Sequence, residues 1–407
     1  MKNIYLVDEQ VSSARNGIGT YLQEIISALK GMDVNINIIR FNSKKEEFDI
    51  ELKSDIRIFH FPKFLRGSFT EHPDIISKFF RLFIEDSAEN IFFLNHSPCE
   101  TLMVSLKESY PLSKIVFTIH DQGWTSSLLG NVKKFKKIIS RRTSSEVKKS
   151  YSYLIEYFNQ ERRMYDIADR VLCLSNDSYS LLKETYKVKE NKIFLSGNGL
   201  SDSFRSLDEK EKNRIREKLH LASNEKIILH IGRVQNSKGC KALLRSFKQV
   251  LSVYPNCRLV LAGTLYDPDS FLDESASISS KVSFTGQISK EELKEWLRIA
   301  DVGVLPSYTE QCSYAGIEMM MHGLPIVASD GWGVRNMFID GYNTIRAPIV
   351  NYSNSSIYEK NLVTAIIKLL MSENLRFILS ENARKEYEQK YAISVMSNRY
   401  RELIITI

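Results

Sequence analysis

The sequence predicts an α/β chain built from two parallel-sheet halves, each covered by helices on both faces. Three observations carry that expectation. The 407 residues exceed what one hydrophobic core normally organises. Short β-branched apolar runs alternate with longer amphipathic stretches almost throughout. A polar, glycine-bearing break near residue 200 separates two such series.

In the first half, strand runs are expected at 3–7, 34–39, 56–59, 91–94, 115–119, 171–174 and 192–195. In the second they fall at 227–231, 258–262, 282–285, 302–305 and 325–328. Amphipathic stretches at 20–30, 178–186, 240–254, 289–299 and 362–372 lie between them. The strands are continuous apolar runs, as expected of a sheet buried on both faces. The division is placed at 1–202 and 203–384, with a helix over 385–407 packing back on the first domain. Such paired folds set the carboxyl ends of both sheets across a cleft, where ligands bind.

Composition narrows the class. At 43% hydrophobic and 26% charged residues, the chain is globular and far from disordered. Its five cysteines are scattered and form no CxxC pair, which suits a reducing compartment and offers no metal pattern. Residues 1–200 hold 29 Lys and Arg against 25 Asp and Glu, so no polybasic arm for nucleic acid is expected. The local exception is 131–150, where Lys133, Lys134, Lys136, Lys137, Arg141, Arg142, Lys148 and Lys149 face only Glu146. A solvated helix face is the plain reading; peripheral contact with an anionic acceptor or lipid surface is the sharper one. Met1-Lys2 leads straight into a strand and no run reaches the roughly 18–20 apolar residues of a membrane span, so a cytoplasmic location is expected, at most peripheral to the inner membrane face.

The most informative segment runs from Tyr308 to Asp330 and reads as strand end, loop, helix and next strand. Ser313 has the side chain of an N-cap, Gly323 that of a helix stop, and Pro325 bars continuation. Glu310 then sits in the loop and Glu318 in the helix, while the amides of Cys312, Ser313 and Tyr314 lie at a helix N-terminus suited to phosphate. Gly232-Arg233 follows the strand at 227–231, with Lys238-Gly239 five residues on. Two cations at a sheet's carboxyl edge can hold a diphosphate. Gly17 and Gly19 open the helix from about 20, although Leu22 stands where a dinucleotide fingerprint needs its third glycine. His120-Asp121 closes the strand at 115–119, and His60 and His96 also follow strands. No HExxH, P-loop or GxSxG occurs.

These pieces in this order resemble the family 4 glycosyltransferases of the GT-B fold. The resemblance rests on the glycine turn at 17–19, His120-Asp121, Asn198-Gly199, Gly232-Arg233 with Lys238-Gly239, and the Glu-x7-Glu segment from Glu310 to Glu318. It implies two Rossmann-like domains and a metal-independent, retaining transfer of a sugar from a nucleotide-diphosphate donor, a UDP-sugar, with no resident cofactor. By position it gives Arg233 and Lys238 the diphosphate, and Glu318 the ribose hydroxyls. Glu310, with the amides of Cys312, Ser313 and Tyr314, takes the sugar and phosphates. It gives His120 the donor sugar, Gly17, Gly19 and Gly232 close phosphate approach, and the backbone of Gln287 and Ile288 the base. Gln311-Cys312-Ser313-Tyr314 lacks the glycine that many members carry after the first glutamate. Residues 121–165, with Trp124, Tyr151, Tyr153 and Tyr157, read as an insertion shaping the acceptor side for a lipid-linked sugar, a polysaccharide or a peptide. A catalytically silent partner or glycan-binding subunit is the alternative, and a sugar-nucleotide epimerase a third.

Overall fold

A computed structural model describes residues 1–9, 17–63, 72–95 and 99–407. His96 lies outside them. The chain divides into two compact units: unit 1 comprises Met1–Leu128, Val132–Ser201 and Ile393–Ile407, and unit 2 comprises Leu129–Asn131 and Asp202–Ala392.

Unit 1 is built on β1 (Lys2–Glu9), β2 (Val34–Ser43), β3 (Asp49–Lys53), β4 (Ile56–Pro62), β5 (Asn90–Leu94), β6 (Lys114–Thr118), β7 (Arg170–Cys173) and β8 (Ile193–Leu195). They form one sheet in the order β3-β4-β2-β1-β5-β6-β7-β8. Every pairing is parallel except the antiparallel edge of β3 on β4. The central strands read Ile-Tyr-Leu-Val and Ile-Phe-Phe-Leu because helices cover both faces; Ile4, Leu6, Ile91 and Phe93 are wholly buried. The order reverses direction between β1 and β5, which is where such a sheet opens a crevice at its carboxyl edge.

Unit 2 carries β9 (Lys226–Ile231), β10 (Cys257–Ala262), β11 (Val282–Gly286), β12 (Val302–Leu305), β13 (Ile326–Ser329) and β14 (Thr344–Ala347). All are parallel, in the order β11-β10-β9-β12-β13-β14, the Rossmann arrangement with its switch point between β9 and β12. Its core is packed from Ile228, Leu259, Leu261, Val302 and Val304 of the sheet. Leu243 and Phe247 of the helix Cys240–Val253, and Leu362, Ile366 and Leu369 of the helix Ser356–Met371, cover it.

Two strands are absent from the sequence expectation, β3 and β14. Both are edge strands: β3 alternates acidic and apolar residues with little burial, and β14 is four residues with a central arginine. Neither has the apolar run that marks the buried strands. The helix expected over 385–407 is divided. A helix over Glu373–Glu386 runs into a wider turn at Tyr387–Tyr391, Ala392 leaves helical dihedrals at φ −65 and ψ 147, and a new helix begins at Ile393. Residues 385–392 therefore belong with unit 2 and only 393–407 with unit 1.

That last helix is integral to unit 1. It buries Met396, Tyr400, Leu403 and Ile404. Ser397 donates to the Ala28 carbonyl at 2.7 Å, Arg399 donates to the Ser196 carbonyl at 2.6 Å, and the Tyr400 and Tyr21 hydroxyls bond each other. Leu403 is wholly buried, so Leu403→Ala should destabilise the chain by about 2–5 kcal/mol through lost transfer energy and the cavity left behind. Urea unfolding followed by circular dichroism reads this directly; an unchanged midpoint would mean the helix contributes nothing to unit 1.

Candidate functional site

Unit 2 concentrates its polar side chains at the carboxyl ends of β9 and β12, the two strands flanking the switch point. Past β9 the backbone passes very close to the next strand's end. Gly263 has φ +152, and a Cβ there would lie 2.0 Å from the Gly232 carbonyl oxygen, so no other residue fits. The Val234 N–H then donates to the Thr264 carbonyl at 2.8 Å, and one tight turn over Asn236–Lys238 ends at Gly239. Gly239 has φ +72, and a Cβ would strike the Pro306 carbonyl oxygen at 2.0 Å. This contact brings Lys238 beside the residues leaving β12. Lys238 Nζ lies 2.6 Å from Glu310 Oε1, and the Ser307 hydroxyl donates to the same oxygen at 2.8 Å. The two charged side chains are only 17% and 13% exposed, so the pair is largely shielded from bulk water. Arg233 is exposed and pairs with no carboxylate among the described residues.

The Glu310 loop is clamped by Gly331-Trp332-Gly333. The Glu310 N–H donates to the Trp332 carbonyl at 2.8 Å and the Trp332 N–H to the Tyr308 carbonyl at 3.1 Å. Ser313 then caps the helix Tyr314–Met321, its hydroxyl accepting the Gly316 N–H at 3.3 Å. The amides expected to face a phosphate at 312–314 lie at the start of this helix. The Ser313 N–H faces the Met337 sulfur at 3.2 Å. A thioether is a weak acceptor, so a phosphate oxygen could displace it from that N–H.

Glu318 is half-buried on this helix, and its carboxyl accepts no hydrogen bond among the described residues. Burial raises its pKa to about 7, with Lys290 pulling the other way. Lys290 opens the helix that follows the Gln287-Ile288 loop, so Glu318 and that loop share one side of unit 2. Met319, Met320 and Met321 face the core.

Beneath the Lys238 turn sits a link that no motif revealed. His230 is wholly buried on β9, its Nδ1 3.1 Å from the Val304 carbonyl and its Nε2 3.4 Å from Cys240 Sγ. Burial lowers the His230 pKa to about 4. A neutral ring can donate from Nδ1 to the carbonyl and accept the thiol proton at Nε2, tying β9 to the helix that starts after Gly239. Among the described residues, no three His, Cys, Asp or Glu side chains converge as metal ligands.

In unit 1, Gly17 and Gly19 lie inside the first turn of the helix Gly17–Leu29 rather than ahead of it. His120 stands two residues past β6, its ring edge-on to Tyr21 with centroids 4.5 Å apart. Tyr21 also bonds Thr118 and Tyr400, so this buried phenol joins the glycine turn to the His120 strand end. The Asp121 carboxylate accepts from the Gln122 N–H and the Thr125 hydroxyl, which spends it on the following turn. Glu161 was silent in the sequence. It is buried, accepts the Gly123 N–H at 2.8 Å and the Tyr186 hydroxyl, and burial lifts its pKa to about 7. Trp124 is core: it stacks on Phe135 at 4.6 Å. His60 is bonded to Ser43 and Glu51 and buried within the sheet. Asn198 is buried and Gly197, beside it, has φ +61 with Arg399 closing over it.

Two family models match the chain, one described as glycosyl transferases group 1 over residues 211–386 and one as glycosyltransferase family 4 over 15–204. A capsular polysaccharide biosynthesis glycosyltransferase of Staphylococcus aureus is 24% identical over 271 residues, covering 62% of this chain and 65% of that protein. The chain spans about half to two thirds of the length of the curated relatives it matches. Among solved structures, sucrose-phosphate synthase from Thermosynechococcus elongatus matches with TM-score 0.77 at 18% identity, covering 100% of both chains. The Anabaena protein HepE in complex with UDP-glucose matches with TM-score 0.70 at 14% identity, again over 100% of each. These likenesses establish the fold as GT-B.

The buried histidine gives a pH test. His230 prefers to be neutral when folded, with its pKa near 4 against 6.5 for the free side chain. The unfolded chain therefore binds its proton first on acidification. The resulting stability is present above pH 6.5 and is lost as pH falls from 6.5 through 4, on the order of 3 kcal/mol for full titration. His322, buried at the end of the Glu318 helix with its pKa lowered to about 4, acts with the same sign. Urea midpoints should fall across this window and fall less in His230→Asn; an equal fall in both proteins would contradict the assignment.

Proposed function

The chain belongs to the family 4 glycosyltransferases, and from that premise we propose a retaining, metal-independent transfer of a hexose from a nucleotide-diphosphate sugar to a glycan, lipid-linked or peptide acceptor. The proposed donor is a UDP-sugar, in keeping with HepE, whose structures hold UDP and UDP-glucose. No resident cofactor takes part in this reading, and the reaction is assigned to the cytoplasm.

The observation that carries it is the cation pair at the carboxyl edge of β9, with Lys238 held on Glu310 and Arg233 paired with no carboxylate among the described residues. In the proposed reaction the acceptor oxygen bonds to the anomeric carbon and the bond from that carbon to the phosphate oxygen breaks. The nucleoside diphosphate leaves with one more negative charge. Arg233 and Lys238 stabilise that charge more in the transition state than in the ground state, which is what lowers the barrier. The acceptor proton passes to a phosphate oxygen of the leaving group, so no protein base is assigned.

Glu318 supports the same reading. A half-buried carboxyl with no hydrogen-bond donor among the described residues suits the two hydroxyls of a ribose, and the adjacent Gln287-Ile288 backbone suits the base. Glu310 would meet the sugar, with Cys312, Ser313 and Tyr314 beside the phosphates. Gly232 would allow the diphosphate close to the backbone. In unit 1 this reading gives His120 the donor sugar and Gly17 and Gly19 its phosphates.

Arg233→Ala and Lys238→Ala should each lower sugar transfer by about a hundredfold or more, the cost of removing one preorganised charge contact. Arg233 is exposed and pairs with no carboxylate among the described residues, so its removal should leave the thermal melt unchanged. Turnover of UDP-sugar with a panel of acceptors, measured by UDP release, is the readout. Rates like those of the unsubstituted protein in both variants would remove the mechanism.

A further inference from the structure

The chain's excess charge is not spread over its surface. Residues 131–150 hold eight Lys and Arg against one Glu, an excess of seven, and the formal charge of the whole chain is +7. The rest of the sequence is therefore balanced, and one short stretch carries all the imbalance.

The fold turns that stretch into a face. The helix Val132–Ser140 buries Phe135, Ile138 and Ile139, while Lys133, Lys134, Lys136 and Lys137 are exposed. At about 100° per residue the four lysines span an arc of roughly 160° opposite the buried stripe. Arg141 in the turn that follows, and Lys148 and Lys149 in the first turns of the helix Ser145–Ile167, are exposed as well. Lys136 is paired, 2.8 Å from Glu184. Lys133, Lys137, Arg141, Lys148 and Lys149 are exposed and pair with no carboxylate among the described residues. Beyond a kink at Tyr151, which leaves helical dihedrals at φ −135 and ψ 28, Tyr153 and Tyr157 are 46% and 45% exposed. Tyrosine with an apolar ring and a wet hydroxyl is at home in an interfacial layer. The basic helix is also rigidly seated, since Phe135 stacks on Trp124, four residues beyond His120.

We infer that this face is a docking surface for an anionic lipid bilayer. Five exposed cations that pair with no carboxylate among the described residues are matched by the phosphates of an anionic lipid surface. The exposed cations lie on helices and the turn between them, with no exposed aromatic ring interleaved among residues 133–149 on which a single-stranded base could stack. A bilayer contact here would hold unit 1 at the surface from which a lipid-linked acceptor is presented. That consequence rests on the transferase reading, whereas the lipid contact itself does not.

The test is flotation of the full chain with vesicles of phosphatidylcholine alone and of phosphatidylcholine with phosphatidylglycerol. The protein should float only with the anionic vesicles, and less as salt is raised. Each cation contributes about fivefold to such partitioning. A variant carrying Lys133→Gln, Lys137→Gln, Arg141→Gln, Lys148→Gln and Lys149→Gln should lose more than a hundredfold, with its melting curve and UDP affinity unchanged. Equal flotation on both vesicles, none on either, or full retention by the variant would overturn the inference. So would binding to mixed-sequence RNA in place of vesicles. Loss of UDP binding in the unsubstituted protein would count against the donor reading alone.

Discussion

The ion pair between Lys238 and Glu310 is the constraint on which the rest of the candidate site depends. It exists because three glycines let backbones approach where a side chain would not fit: Gly239 against Pro306, Gly331 against Ser307 and Gly333 against Glu310. Those contacts bring the end of β9 and the end of β12 into one cluster. Ser307 steadies the shared oxygen, and the buried His230–Cys240 link supports the turn from below. The result is one cation paired with a carboxylate and one, Arg233, exposed and paired with no carboxylate among the described residues. In the proposed reaction a diphosphate would compete with Glu310 for Lys238, and its second charge would meet Arg233.

Much of this arrangement could be read from residue order. A buried strand followed at once by Gly232-Arg233, with Lys238-Gly239 a short turn later, puts two cations at a sheet edge whatever the rest of the fold does. Ser313 and Gly323 bound a helix by capping chemistry that is local, so the places of Glu310 and Glu318 followed. What stayed hidden depends on contacts between distant segments. Tyr21 matters because Thr118, His120 and Tyr400 converge on it, and no spacing announces that. Glu161 is an ordinary charged residue in a charged helix until Gly123 and Tyr186 close around it. The Met337 sulfur against the Ser313 N–H likewise comes from the packing of distant segments. The edge strands β3 and β14 were missed because an edge needs no continuous apolar run.

The stretch 121–165 illustrates how composition can suggest two different things. Its aromatic residues invite a ligand-binding reading, yet Trp124, Phe135, Phe158 and Tyr186 form a packed cluster inside unit 1. That cluster is what makes the outer basic helix firm. Burial of the rings and exposure of the lysines are thus two faces of one amphipathic pattern, and the outward face is the one with chemistry still to satisfy.

Competition between Glu310 and a diphosphate for Lys238 is the central claim about the proposed donor site. Calorimetric titration of UDP into the unsubstituted protein and into Glu310→Gln measures it without any need for an acceptor. Removing the carboxylate charge frees the ammonium and ends its repulsion of the phosphates, so UDP should bind tighter to Glu310→Gln, by about tenfold for each 1.4 kcal/mol released. Equal or weaker binding by that variant would show that the pair does not stand where the diphosphate binds.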